Sequence, residues 1–146
     1  MKTVEQKMSI EDAVSSAFGD LQALGEELRE AYDNTPESLQ ASAAAQARDE
    51  AANILEGLNE PSIPDALKDA FKVTQITRLV RVLTPKQQAR LSRSARRDDA
   101  CEWLSAVIDF LADVEGDNAD EAAEFVIELE QLRDDADSVE FPGRNG

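Results

Sequence analysis

The sequence predicts an all-α protein: two antiparallel helical hairpins joined by a basic, partly irregular segment. Three observations carry this. Apolar residues recur every three or four positions through most of the 146-residue chain, which is the spacing of a buried helix stripe. Serine, threonine, aspartate and proline stand where helices start and stop. Charge divides the chain into an acidic, a basic and an acidic block. On these grounds residues 1–8 read as a flexible tail, 9–59 as an N-terminal acidic hairpin and 60–97 as the basic connecting segment. Residues 98–138 read as a C-terminal acidic hairpin and 139–146 as a second tail.

The first helix is the clearest. Ser9 with Asp12 forms an N-cap with an acid three residues on. Ile10, Val14, Ala17, Leu21, Leu24, Leu28 and Ala31 then repeat as a heptad seam, so the helix runs from Ile10 to Asp33. Gly19 and Gly25 weaken it by about 1 kcal/mol each relative to alanine, and their small size favours close helix approach. In "DNTPESLQ", Thr35 is the expected cap and Pro36 the first residue of a second helix. That helix is expected to bury Leu39, Ala43, Ala47, Ala51, Ile54 and Leu58, an alanine-rich face suited to the leucine-rich seam of the first.

Pro61 and Pro64 break the chain. Leu67, Ala70, Phe71, Ile76, Leu79, Val80 and Leu83 follow at near-helical spacing, which predicts a helix, although the β-branched run from Val73 to Val82 also suits a strand. Thr84-Pro85 with Gln87 opens a short helix to Ala95. Asp98 or Asp99 is the expected cap of the next, with Ala100, Leu104, Val107, Ile108 and Leu111 facing inward beside Cys101 and Trp103. Gly116 stops it. Asp117 with Asp120 is expected to open the last helix, whose inward residues are Ala122, Phe125, Val126, Leu129, Leu132 and Ala136.

The formal net charge is -16. Residues 70–97 nonetheless hold eight bases and no acid, between blocks of net -10 and -14. Two readings of this segment follow. Arg78, Arg81, Arg90, Arg93, Arg96 and Arg97 are candidate binding residues for nucleic acid, each phosphate contact adding to the salt dependence of binding. Alternatively the basic segment packs between the acidic hairpins and neutralises them, at about 1 kcal/mol or less per exposed pair. Asp98 and Asp99 suit a helix N-terminus, which leaves Arg96 and Arg97 at its edge and available to a partner. On the acidic side, Glu26, Glu27 and Glu30 of the first hairpin and Glu121, Glu124 and Glu128 of the second form faces that can bind a partner protein or simply be solvated.

Chemistry is scarce. Histidine is absent, removing the commonest general base and transition-metal ligand. The single cysteine, Cys101, can make no intramolecular disulfide and is expected in the core. No glycine-rich phosphate loop, nucleophile elbow or paired-cysteine zinc motif is present. Acids at Asp113, Glu115, Asp117, Glu121 and Glu124 match calcium-loop spacing, but Asn118 occupies the position that needs glycine, so a helix stop and cap is the simpler reading. The expectation is a protein that is no enzyme and takes no cofactor. No signal-like or membrane-spanning run is seen, so a soluble protein is expected. The seam of the first helix also makes self-association available.

Four stretches carry a resemblance: "LGEELREAYDNTPESLQ" at 24–40, "EPSIPD" at 60–65, "SRSARRDDACEWLSAVIDFL" at 92–111 and "SVEFPG" at 138–143. In this order they resemble a group of small acidic helical proteins encoded by bacteriophages and prophages, with no assigned activity. The tail departs from that pattern, because "GRNG" closes the chain where a more apolar ending is expected. The resemblance implies a phage accessory protein in the host cytoplasm. It would act on a host protein through charged surfaces, by acidic nucleic-acid mimicry or by blocking a host defence. A nucleic-acid-binding accessory protein using 72–97 and a structural or virion-associated protein are the alternatives.

Overall fold

The computed structural model describes residues 2–141, and the end of the C-terminal tail, 142–146, lies outside them. Strand β1, Thr3–Ser9, leads directly into helix α1, Ile10–Asp33. The junction is the expected cap: Ser9 is extended and its Oγ accepts the Asp12 amide at 3.1 Å. From there the leucine seam is buried through Leu28.

After α1 the chain departs from expectation. The Thr35 hydroxyl donates to the Ala31 carbonyl at 2.8 Å, so it finishes α1 instead of capping its successor. Pro36 precedes only a single 3₁₀ turn, Glu37–Leu39. Helix α2, Ala43–Glu56, begins under Ser42, whose Oγ accepts the Ala45 amide. Its buried face is Ala45, Ala51, Ala52 and Leu55, while Leu39, Ala43 and Ile54, all expected inside, are exposed. Gly25 explains the close fit of α1 on α2: a Cβ there would stand 3.0 Å from Leu55 Cβ.

Pro61 and Pro64 break the chain as expected. A 3₁₀ turn, Asp65–Leu67, leads into a short helix α3, Lys68–Val73, which buries Phe71 against Phe125 with ring centroids 5.5 Å apart. The helix predicted beyond it is a strand instead. Strand β2, Gln75–Arg81, pairs antiparallel with β1, from Thr3 opposite Arg81 to Ser9 opposite Gln75. Two sequence expectations change together here. The protein is mostly helical but not all-α, and residues 3–8 are a strand, not a loose tail. The β-branched run chose the strand because a partner was available seventy residues upstream in the chain.

Helix α4, Pro85–Ala89, has the expected Thr84–Gln87 capping box but ends before Ala95. Helix α5, Arg93–Ala112, then starts six residues earlier than Asp99, under Ser92, whose Oγ accepts the Ala95 amide at 3.0 Å. Asp98 and Asp99 are therefore inside the helix and cap nothing. Gly116, at φ +96°, turns the chain into helix α6, Ala119–Asp137, whose cap position is Asn118 and not Asp117. Helix α1 packs along α2 and α5, α5 packs along α6, and β2 rests on α5, so all share one core.

Candidate functional site

The six arginines of the basic segment sit on β2, α5 and the α4–α5 junction, and the fold brings four of them against the chain's own acids and carbonyls. Arg96, one turn into α5, faces α1 and grips Glu27 with both terminal nitrogens, one at 2.9 Å. Arg93 stands beside it, its Nε 3.6 Å from the same carboxylate. Hydrogen bonding to Arg96 holds the Glu27 carboxyl below the usual glutamate range despite partial burial. Arg78 projects from β2 onto α5, where Asp99 lies at 2.8 Å, Glu102 bonds the same nitrogen, and the guanidinium carbon lies 5.1 Å from the centre of the Trp103 ring. Arg97 bonds the carbonyls of Ala136 and Val139 at 3.0 and 2.9 Å and the Asp98 carboxylate at 2.6 Å. It thereby ties the end of α6 and the residues just after it to α5, the Ala136 carbonyl also accepting the Val139 amide at 3.2 Å.

This resolves the juxtaposition of "RR" and "DD". With all four residues in one helix, Asp99 neutralises Arg78, Asp98 neutralises Arg97, and Arg96 reaches α1. The expectation that Asp98 or Asp99 caps this helix, with Arg96 and Arg97 at its edge, is overturned by the early start of α5, and both arginines face the chain's own groups.

Arg81 and Arg90 are exposed and form no ion pair among the described residues. Arg90, Arg93 and Arg96 line an open cleft of about 740 Å³ with Glu27, Ala89 and Leu91. In it the Arg93 Nε is buried without a hydrogen-bond partner.

The acidic candidates divide in the same way. Glu27 is engaged by arginine. Glu26, Glu30 and Glu124 are exposed with no ion pair among the described residues, and Glu128 is exposed and accepts only the Ser62 amide at 3.4 Å. Glu121 is half-buried, with Oε2 lacking a partner. Among the described residues no group of three acids, cysteines or histidines is placed to hold a metal ion. The calcium-spaced stretch instead forms a turn and the first residues of α6, which separates its acids onto different elements.

Cys101 lies in the core, where burial, reinforced by Asp137, pushes its thiol up to about 12, so it is a poor nucleophile near neutrality. Among the described residues no helix is long and apolar enough to cross a membrane. A further cluster escaped sequence reasoning: Arg29 of α1 bonds Asp49, Asn53 and Glu56 of α2. Its one signal was a lone arginine on an otherwise acidic helix. Comparison of the chain with protein-family models, with curated proteins and with solved structures finds no match.

Proposed function

We propose that the protein is a non-enzymatic binding protein that presents acidic helical faces to a basic surface of a partner protein. The faces are the outer sides of two helical hairpins, α1–α2 and α5–α6. The carrying observation is the direction of the arginines. Arg78, Arg93, Arg96 and Arg97 are turned onto Glu27, Asp98, Asp99, Glu102 and the carbonyls after α6. Glu26, Glu30, Glu124 and Glu128 remain exposed. Such a surface steers a basic partner and repels nucleic acid. The resemblance to phage-encoded proteins makes a host protein in the bacterial cytoplasm the natural partner, held as nucleic acid would be held.

The test is capture from nuclease-treated bacterial lysate with the wild type and two reversed faces, Glu26→Lys/Glu30→Lys and Glu124→Lys/Glu128→Lys. Loss of the captured protein by about tenfold on reversing one face is expected. Capture undiminished by both reversals overturns the proposal.

One observation favours a second reading, a phosphate-binding surface for nucleic acid. The cleft gathers Arg90, Arg93 and Arg96, and only Arg96 has its charge fully matched. Binding of this kind weakens steeply with salt and disappears in Arg90→Glu/Arg93→Glu.

A further inference from the structure

The β1–β2 ribbon is a small sheet with an open side. Among the described residues the sheet has two strands and no third, whereas ribbons of two strands are marginal in water without further strands or packing. β2 rests on α5. β1 does not: Thr3, Val4, Glu5, Gln6 and Lys7 are all exposed.

The hydrogen bonds at the two ends of the ribbon fix which way each residue of β1 points its main chain. The Val82 amide donates to the Lys2 carbonyl, and the Ile10 amide donates to the Thr74 carbonyl, each at 3.0 Å. In an antiparallel ladder such pairs alternate with pairs that exchange no bonds. The even-numbered residues of β1 thus bond to β2. The main-chain groups of Thr3, Glu5 and Lys7 point to the opposite, open edge.

We propose that this edge pairs with the same edge of a second copy of the chain, antiparallel and centred on Gln6. Charge complementarity selects that occupant. With Gln6 on the two-fold axis, Glu5 falls opposite Lys7 of the second copy and Lys7 opposite its Glu5. The two charge pairs lie at positions whose main-chain groups already face outward. On the other face of the sheet Val4 falls opposite Met8 of the second copy. Val4 is 48% exposed, whereas Met8 already packs against the core, so the pairing covers Val4 on either side of the two Gln6 side chains that meet at the axis. The contact is the same patch on both subunits, as a closed two-fold dimer requires. It makes a four-stranded sheet in the order β2–β1–β1–β2. The paired edge and the acidic faces are independent, so either can exist without the other.

Sedimentation equilibrium of the full chain across a concentration series is the experiment, with circular dichroism to confirm the fold of each variant. The wild type is expected to sediment at twice the chain mass. Glu5→Lys sets lysine against Lys7 at both symmetry-related positions and should weaken the dimer by about tenfold or more, as two attractive cross-strand pairs become repulsive. Glu5→Lys/Lys7→Glu restores complementary pairs and should restore the dimer. Inside one chain Glu5 faces Leu79 and Lys7 faces Thr77, so neither change breaks an ion pair within the ribbon. A wild type that stays monomeric, or a dimer indifferent to Glu5→Lys, overturns the proposal, as does a double variant that fails to recover.

Discussion

Glu27 is the residue on which the first and second halves of the chain meet. It belongs to α1, yet its partners Arg93 and Arg96 lie almost seventy positions on, in α5. A bidentate guanidinium–carboxylate pair of this kind is stronger and more directional than a single contact. Side-chain exposure of 40% at Glu27 and 34% at Arg96 keeps its worth to about 1 kcal/mol. Because Arg96 lowers the Glu27 pKa from its ordinary 4.5, that contribution is fully present above the ordinary value and is lost as pH falls through the lowered one. Acidification has the opposite general effect on a chain of net charge -16, since protonation relieves repulsion. The informative quantity is therefore the stability difference between wild type and Glu27→Gln. Urea unfolding should show a difference of about 1 kcal/mol near neutrality that shrinks towards zero as pH falls through the lowered Glu27 pKa.

At the scale of elements, two glycines in one helix should respond oppositely to the same change. Nothing stands within 4 Å of a Cβ added at Gly19, whereas one added at Gly25 meets Leu55 Cβ at 3.0 Å and the Glu56 main chain at 3.6 Å. Gly19→Ala should stabilise by about 1 kcal/mol through helix propensity. Gly25→Ala should destabilise by about 1–3 kcal/mol, because α2 must move as a body to make room. Thermal unfolding of the two variants checks both signs. Helix α1 was legible in sequence down to its end residues, since a cap, a seam and a stop all agree there. Helix α2 was not, because Thr35 and Ser42 compete as caps and an alanine-rich helix reveals its buried face weakly. Of the strands, β1 was illegible and β2 only half legible, its β-branched run suiting a strand as well as the predicted helix. β1 is polar and exposed over most of its length, and β2 becomes a strand only through that distant partner. The start of α5 was misplaced by a similar competition, in which Ser92 takes the cap and draws "RSARRDD" into the helix.

Over the whole molecule, the acid–base–acid order of the sequence becomes an arrangement in which much of the middle block is spent on the other two. The sequence marked these arginines as a charge anomaly but could not say what they face. That depended on the length of α5 and on the packing of α1 beside it. Arg78, Arg96 and Arg97 serve the fold, Arg93 is drawn toward Glu27, and Arg81 and Arg90 are left exposed. We propose that most of these arginines neutralise the protein internally and that the surface offered outward is acidic. Fluorescence anisotropy of labelled single- and double-stranded DNA and RNA, titrated with the full chain at about 20 mM salt, tests it most directly, since low salt maximises any phosphate contact. No saturable binding is expected. Saturable binding that weakens steeply with salt and is abolished by Arg90→Glu/Arg93→Glu would contradict it.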